Sequence, residues 1–167
     1  MSGGAARATV GRCSEAVDQL KKFEKQIEQS AARIKQHKII FTNGCFDILH
    51  RGHVELLKYC KSLGYVIVGL NSDSSVKQLK GESRPFFSQQ DREFMLQSCR
   101  YVDEVIVFKE ETPYELVKKL KPDIIVKGGD YKKSDVIGND ICEIRIFNYV
   151  DGYSTTKILE NNDDLRD

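Results

Sequence analysis

Short apolar segments that alternate with helical patterns constrain the fold of this chain more than any other feature. The segments are KIIFT at 38–42, YVIVGL at 65–70, EVIVF at 104–108, DIIVK at 123–127 and EIRIF at 143–147. Strands that are apolar almost throughout are typical of a parallel sheet covered on both faces. The chain is therefore predicted to adopt an α/β fold, with a doubly wound, mainly parallel, Rossmann-like sheet in a single domain.

The domain organisation follows from where periodicity begins. Residues 1–13 are mostly small or polar and show no periodicity, which is typical of a disordered leader. Residues 14–36 carry apolar side chains three or four positions apart, which predicts an amphipathic helix that packs on its own domain or on a partner chain. A single α/β domain is predicted at 37–162, followed by a C-terminal tail at 163–167.

Helix-start signals lie between the apolar segments. Helices are predicted from about His53 to Leu63, from a Ser88 cap, from a Thr112 cap with Pro113 in the first helical position, and near Ser154. Asp73 is interpreted as a helix cap. The stretch KQLKGESRP at 77–85 is predicted to be a mobile loop.

Charge and composition exclude several classes of protein. The 26 Lys and Arg residues balance 25 Asp and Glu residues, so no overall basic field favours nucleic acid or an anionic membrane. No apolar run is long enough to span a bilayer and no secretory signal begins the chain, which predicts a cytoplasmic protein. The five cysteines form no C-x-x-C pair, which argues against a disulfide framework and against a zinc site.

Polar sequences follow three of the predicted strands: TNGCFDILHRGH, NSD and KGGDY. Because the carboxyl ends of parallel strands meet at one edge of a sheet, these sequences are expected to face one crevice. His50 and His53 lie three residues apart at a helix start, so both imidazoles can point into one site. The backbone N–H groups of that helix start favour phosphate. His37 is interpreted as an exposed residue with no such role.

The pattern at this helix start suits phosphoryl chemistry. When a phosphate oxygen attacks the α-phosphorus of a nucleoside triphosphate, negative charge builds on the non-bridging and leaving oxygens, and the attacking oxygen needs no base. The protein then has to position groups and stabilise charge. Gly44 and Gly52 permit close approach of the backbone to a ligand.

The HRGH segment at 50–53 resembles the H-x-G-H signature of the cytidylyltransferase-like nucleotidyltransferase superfamily, and STT at 154–156 resembles its second signature. From about 38 to 160 the chain resembles the heptose 1-phosphate adenylyltransferases, which make ADP-activated heptose for bacterial surface polysaccharides. The matching segments are FTNGCFDILHRGH, GLNSD, LKGESRP, the DR of QQDR, VDEVIVF, ETP, PDIIVKGGDY and DGYSTT.

This resemblance implies an enzyme whose partners are ATP and a sugar 1-phosphate, with pyrophosphate as the second product. It places His50 and His53 at the phosphates as catalytic residues and Asp47 beside the second substrate. The nucleotide-binding residues are predicted to be Thr42, Asn43, Gly44, Cys45, Phe46, Gly52, Lys127, Gly128, Gly129, Asp130, Ser154, Thr155 and Thr156. It also implies a homodimer.

A basic cluster adds further candidates. Lys80 and Arg92 have the charge to meet pyrophosphate and are assigned to catalysis, and Arg84 is assigned to the sugar phosphate. A solvated basic loop would look the same, and Lys77 is interpreted that way. Gly81 and Ser83 suggest a segment that closes on the substrate.

Activity is predicted to require Mg²⁺, although the sequence shows no protein metal cage. This ion is commonly held by substrate phosphates and one or two carboxylates. Asp47 and Asp130 are the carboxylates nearest the predicted crevice.

Three alternatives stay open at this point. A glycerol 3-phosphate cytidylyltransferase is the nearest, but the chain lacks the arginine that several cytidylyltransferases carry shortly before STT, which favours ATP over CTP. A catalytically silent nucleotide sensor is a second, and both signature histidines argue against it. A dinucleotide-dependent oxidoreductase would need G-x-G-x-x-G after the first strand, which is missing. The length predicts a transferase without the upstream sugar kinase that the family often carries.

Overall fold

The computed structural model describes residues 21–22, 24–27, 37–129 and 131–148. The chain divides into two units, residues 1–36 and 37–167. In the first unit the described residues are helical. The predicted leader, the rest of the N-terminal helix and the predicted C-terminal helix and tail lie outside the described residues.

The second unit contains a five-stranded parallel sheet in which helices connect most of the strands. Its elements in chain order are β1 (Ile39–Gly44), α1 (Arg51–Leu63), β2 (Tyr65–Asn71), α2 (Asp73–Lys80), α3 (Gln89–Gln97), β3 (Glu104–Phe108), α4 (Tyr114–Leu120), β4 (Ile124–Gly128) and β5 (Glu143–Phe147), with a 3₁₀ turn at Lys133–Asp135. The strand order is β3-β2-β1-β4-β5 and each neighbouring pair is parallel. The predicted fold class is confirmed.

The chain order of the strands reverses between β1 and β4. On one side of β1 the register pairs Ile39 with Tyr65, and on the other side it pairs Ile40 with Ile124. A reversal of this kind leaves a crevice beyond the carboxyl ends of the two strands, which is where ligands bind in open α/β sheets. Asn43 and Gly44 close β1 at that edge.

Apolar side chains cover both faces of the sheet. On one face, a buried cluster joins Ile40 and Val126 of the sheet to Leu57 of α1 and Leu96 of α3. Ile125 points to the opposite face because side chains alternate along a strand. There it lies near α4, since a Cβ atom built on Gly138 would come within 2.8 Å of Ile125 and 2.9 Å of Val117. Helices on both faces are what a doubly wound sheet requires.

Two element boundaries differ from prediction near the crevice. β1 runs to Gly44 rather than ending at Thr42, because its pairing with β2 continues to Leu70. α1 begins at Arg51 rather than about His53, with His50 as its N-cap residue. His53 is therefore the third residue of the helix rather than the first.

Two further helices also correct the predictions. α2 covers Asp73–Lys80, so the first four residues of the predicted mobile loop at 77–85 are helical. Ser72 caps this helix in place of Asp73, and its hydroxyl accepts the Ser75 N–H. α4 begins at Tyr114 with Pro113 in the cap position, one residue after the predicted start.

Other expectations hold in the described part of the chain. Ser88 caps α3, and its hydroxyl accepts the Asp91 N–H at 3.3 Å. The four described cysteines are free thiols, and His37 is exposed. Among the described residues, no helix is long and apolar enough to cross a membrane.

Candidate active site

The loop between β1 and α1 lies at the switch-point crevice and has an unusual backbone. Phe46 and Ile48 have φ angles of 46° and 51°, in the left-handed region that bulky and β-branched residues rarely adopt. The Phe46 side chain is buried in the apolar cluster, which helps to hold this conformation. Strained backbone of this kind concentrates at binding and catalytic sites.

The two signature histidines lie side by side at the start of α1. The ring centroids of His50 and His53 are 3.8 Å apart with an interplanar angle of 22°, and the ring of Phe46 lies 5.2 Å from His53. His53 Nδ1 accepts a long hydrogen bond from the His50 N–H, at 3.4 Å. His50 Nδ1 is buried and has no hydrogen-bond partner among the described residues.

Burial keeps both imidazoles uncharged near neutral pH. It lowers the pKa of His53 to about 3; repulsion from Lys80, and from His50 when that ring is protonated, acts in the same direction, while Asp47 opposes it. Burial also lowers the pKa of His50. Because His53 Nδ1 accepts a hydrogen bond, the neutral ring carries its proton on Nε2. His53 can thus donate one N–H to an anion without itself being a cation.

Two lysines bring positive charge to this edge of the sheet. Lys80 is exposed at the end of α2, and its charge helps to lower the pKa of His53. Burial raises the pKa of Cys45, and the charge of Lys80 opposes that rise. Lys127, at the end of β4, donates from Nζ to the Asn43 carbonyl at 3.1 Å and lies 5.8 Å from the centre of the Tyr131 ring. Burial lowers the pKa of Lys127 to about 8.

Asp47 lies in the β1–α1 loop and is only 2% exposed. Its carboxylate accepts the backbone N–H groups of Phe86 and Phe87, at 2.8 and 3.0 Å. It also pairs with Arg84 Nη2 at 2.8 Å. The carboxylate predicted to face the second substrate therefore holds another loop of the protein.

Arg92 is fully buried, although it was assigned to catalysis beside the pyrophosphate. Its guanidinium donates to the carbonyl oxygens of Phe87 and Cys45, at 3.1 and 2.6 Å, and to the Asp73 carboxylate at 2.8 Å. These bonds join the start of α2 and the segment before α3 to the β1–α1 loop. The structure thus gives Arg92 a positioning contact instead of a surface toward substrate.

The remaining predicted residues fall into three groups. Thr42 is 1% exposed and its hydroxyl has no hydrogen-bond partner among the described residues. Gly52 lies in the first turn of α1, and Gly128 closes β4, while the Gly129 N–H donates to the Phe147 carbonyl at 3.1 Å. Outside the described residues lie Asp130, Ser154, Thr155 and Thr156.

The described carboxylates do not form a metal centre. Among the described residues, no three His, Cys, Asp or Glu side chains come together in a metal-binding group. Both oxygens of Asp47 accept hydrogen bonds from the protein. Asp47 therefore does not fit the predicted part of a ligand to Mg²⁺.

Several contacts of the site leave little trace in the sequence. The backbone amides of Phe86 and Phe87 are 39 and 40 positions away from Asp47, and no local pattern announces such a pairing. The ion pair of Asp73 with Arg92 joins the start of α2 to α3, and the sequence pattern does not indicate that these two residues meet. Tyr131 could have been found, since it completes the KGGDY segment.

The crevice brings paired imidazoles, a half-buried lysine and a helix N-terminus to the switch point of a parallel sheet, which is the arrangement of a Rossmann-like protein that handles phosphates. A family model described as cytidylyltransferase-like matches residues 41–163. The chain belongs to the cytidylyltransferase-like family.

Several curated proteins are similar over most of this chain. A bifunctional protein HldE from Aliarcobacter butzleri is 54% identical over 84% of the chain and 30% of its own length. Proteins of the same name from Nitratiruptor and Helicobacter pylori are 51% and 45% identical over 94% and 93% of the chain, and both are matched over 37% of their own length. The chain thus spans about a third of the length of these relatives.

Solved structures confirm the architecture. A lipopolysaccharide core biosynthesis protein from Thermoplasma volcanium superposes with a TM-score of 0.57 at 28% identity, over 68% of this chain and 97% of its own. A pantoate-beta-alanine ligase from Francisella tularensis gives a TM-score of 0.56 at 18% identity, over 86% of this chain and 74% of its own. The second likeness concerns the fold alone.

Proposed function

We propose that this chain is a nucleotidyltransferase that makes ADP-heptose and pyrophosphate from ATP and heptose 1-phosphate. The observation that carries the proposal is the pair of neutral, stacked imidazoles at the N-terminus of α1. Membership of the cytidylyltransferase-like family supports the reaction class. The HldE relatives and the heptose-family segments in the sequence support the substrate pair.

The reaction transfers the α-phosphorus of ATP, with its attached nucleoside, from an oxygen of the β-phosphate to an oxygen of the sugar phosphate. A phosphate oxygen of the sugar 1-phosphate attacks the α-phosphorus of ATP, a new P–O bond forms, and the bond from that phosphorus to the β-phosphate oxygen breaks. Pyrophosphate leaves with the electron pair of the broken bond. The attacking oxygen is already ionised, so the protein supplies position and charge stabilisation rather than a base.

The two histidines have the chemistry for that task. His53 donates through Nε2–H, and His50 has a buried ring nitrogen without a protein partner. Held donors of this kind stabilise charge as it develops, because they need no rearrangement at the moment of reaction. The N-terminus of α1 adds the positive end of a helix dipole.

Other residues of the crevice complete the proposed nucleotide site. Thr42 lies in β1 and Lys127 in β4, the two strands that border the switch point. The buried Thr42 hydroxyl and the remaining N–H donors of Lys127 are therefore assigned to the nucleotide. Lys80 supplies charge from the end of α2. By resemblance, the remaining members of the proposed site are Asn43, Gly44, Cys45, Phe46, Gly52, Gly128, Gly129, Asp130, Ser154, Thr155 and Thr156.

Mg²⁺ is proposed as a companion of the triphosphate. The described side chains do not build a cage for it, and Mg²⁺ commonly binds through substrate phosphates. Turnover should stop when a chelator removes divalent ions and return when Mg²⁺ is added back. Full turnover after exhaustive chelation would contradict this part of the proposal.

A pyrophosphate-release matrix tests the function. ATP, CTP, GTP and UTP are each paired with heptose 1-phosphate, glycerol 3-phosphate, phosphocholine and common hexose 1-phosphates. ATP with heptose 1-phosphate should give the highest kcat/KM. Glycerol 3-phosphate should be poor, since a site built to bind sugar hydroxyls is left with unpaired polar groups.

Two outcomes would replace the proposal. If CTP with glycerol 3-phosphate gave the highest kcat/KM, the chain would be a cytidylyltransferase for an alcohol phosphate. If no pair released pyrophosphate while a nucleotide bound tightly, the chain would be a nucleotide sensor.

A further inference from the structure

Asp47 and Arg84 form an ion pair that the proposed reaction leaves unexplained. The Arg84 side chain is 15% exposed and the Asp47 side chain 1% exposed, and Nη2 of Arg84 lies 2.8 Å from the carboxylate. A buried charge pair of this kind adds little net stability over apolar residues of the same shape. Its place beside the β1–α1 loop suggests a functional reason for it.

The carboxylate of Asp47 is fully engaged by the protein. One oxygen accepts the Phe86 N–H and pairs with Arg84, and the other accepts the Phe87 N–H. A carboxylate in this state has little capacity left for a sugar hydroxyl, a cationic headgroup or a metal ion. Asp47 therefore acts on the crevice through the groups that it holds.

Arg84 has the opposite character, because it keeps donors that the protein does not use. Its Nε is buried and has no hydrogen-bond partner among the described residues. A buried N–H without a partner is destabilising unless a ligand satisfies it. The fork of a guanidinium matches a phosphate, and Nε together with one terminal nitrogen can bind two phosphate oxygens.

The segment that carries Arg84 is held through its backbone by two side chains, Asp47 and Arg92. Asp47 binds the amides of Phe86 and Phe87, and Arg92 binds the Phe87 carbonyl together with the Cys45 carbonyl. The part of the predicted closing segment from Arg84 onward is thereby tied to the β1–α1 loop, three residues before His50. The position of Arg84 is set before substrate arrives, which lowers the entropy lost on binding.

We propose that Arg84, held in place by Asp47, receives the phosphate of the second substrate, and that Asp47 is a positioning residue rather than a ligand of substrate or metal. This inference rests on the proposed function for the identity of the substrate. Arg84 then holds the attacking phosphate beside the β1–α1 loop, which leads into His50 and His53 at the start of α1. A substrate with a cationic headgroup gains nothing from Asp47, since Arg84 already neutralises that carboxylate.

Steady-state kinetics of the full chain test the inference, with KM measured separately for ATP and for heptose 1-phosphate. Arg84→Ala should raise the KM for the sugar phosphate by about tenfold to hundredfold, the loss expected for hydrogen bonds to a charged group, and leave the KM for ATP within about threefold. Arg84→Lys keeps a cation beside Asp47 but lacks Nε, so its thermal midpoint should stay near wild type while the KM remains raised. Lys77→Ala, a basic residue on the exposed side of α2, is the matched control and should change neither constant.

The double variant separates positioning from direct contact. Asp47→Asn alone should raise the same KM, because Arg84 loses its anchor. In an Arg84→Ala background it should add less than about twofold, since residues that act through one another are not additive. Independent, multiplying effects of the two substitutions, or an Asp47→Asn variant whose defect is confined to kcat, would overturn the positioning role.

A binding readout keeps this inference apart from the proposed function. Heptose 1-phosphate is titrated calorimetrically into wild type, Arg84→Ala and Arg84→Lys without nucleotide. Weaker binding in both variants supports the phosphate site even if wild type makes no product, in which case the proposed reaction alone fails. A wild type that makes product, with equal sugar-phosphate binding and equal KM in all three proteins, would show that Arg84 does not bind this phosphate.

Discussion

Two segments border the proposed crevice and are held in different ways. The β1–α1 loop has a strained backbone at Phe46 and Ile48, a buried carboxylate and a direct bond to the guanidinium of Arg92. The segment 81–83 is exposed, and the ion pair from Glu82 to Lys77 spans 3.8 Å at the surface. Hydrogen-bond donors that stabilise the transition state must be in place before the reaction, which suits the well-supported β1–α1 loop. A segment that substrate passes on entry can be solvated, which suits residues 81–83.

The largest effect is expected at His50 and His53, which lie at the start of α1 directly after the β1–α1 loop. His53→Ala and His50→Ala should each lower kcat by about 10²-fold or more, on the order of 3 kcal/mol, while KM changes little. The reason is that donors aimed at developing charge bind more strongly in the transition state than in the ground state. Pyrophosphate release under saturating substrates measures kcat. Near-normal turnover in both variants would contradict the mechanism.

The second-largest effect is expected at Arg92, whose replacement should lower the stability of the folded protein rather than act on the chemical step. Arg92→Met keeps the bulk of the side chain but removes three hydrogen bonds from a fully buried guanidinium. The free energy of unfolding should fall by about 2–3 kcal/mol, since the Cys45 and Phe87 carbonyls lose their partner. Denaturant titration measures the change, and Lys77→Met on the exposed side of α2 should stay within about 0.5 kcal/mol of wild type. Equal losses in the two variants would show that the buried contacts of Arg92 do not support the β1–α1 loop.

Acid should lower the free energy of unfolding through His53, in the first turn of α1. Its pKa is about 3 in the folded protein against an ordinary value of 6.5, so the unfolded chain takes up the proton first as pH falls below 6.5. Stability that is present above pH 6.5 is therefore lost progressively toward pH 3. Between pH 7 and pH 5 this group should contribute about 2 kcal/mol of that loss.

The matched variants for the acid effect are His53→Asn and His37→Asn. Urea midpoints at pH 7 and pH 5 should move closer together in His53→Asn, because the titrating group is gone. His37 is exposed, and its replacement should leave the difference between the midpoints as in wild type. An unchanged pH dependence in His53→Asn would show that this imidazole is not the acid-sensitive group.

The smallest effect is expected in the exposed segment. Gly81 has a φ angle of 93°, and a Cβ atom built there meets nothing within 4 Å. Gly81→Ala should therefore lower the free energy of unfolding through backbone strain alone, by about 1 kcal/mol. A loss of kcat as large as that of the histidine variants would mean that this segment takes part in the chemistry.

The sequence predicted the sheet and the histidine pair because both leave local patterns. Apolar strands and the spacing of His50 and His53 can be seen within a few residues. The burial of Arg92 could not be predicted, since its partner Cys45 lies 47 positions away and a solvated basic residue has the same sequence signature. The engagement of Asp47 by two backbone amides was hidden for the same reason.

The C-terminal end of α2 could not be predicted for a different reason. Residues 77–80 are mostly polar and include two lysines, which favours a loop when they are considered with the glycine and proline that follow. The helix nevertheless continues to Lys80, because its own residue Val76 is buried in the domain and the Gly81 N–H donates to the Lys77 carbonyl. Tertiary packing therefore sets the end of α2, which the local composition does not predict.

The most direct test of nucleotidyl transfer follows the phosphorus atoms of ATP. Wild type is incubated with heptose 1-phosphate and ATP labelled at either the α- or the γ-phosphate, and the products are separated. The α-label should appear in the nucleotide sugar and the γ-label in pyrophosphate, with both transfers nearly lost in His53→Ala. A γ-label in a sugar bisphosphate, or an α-label that stays in ADP, would contradict attack at the α-phosphorus and with it the role given to the paired histidines.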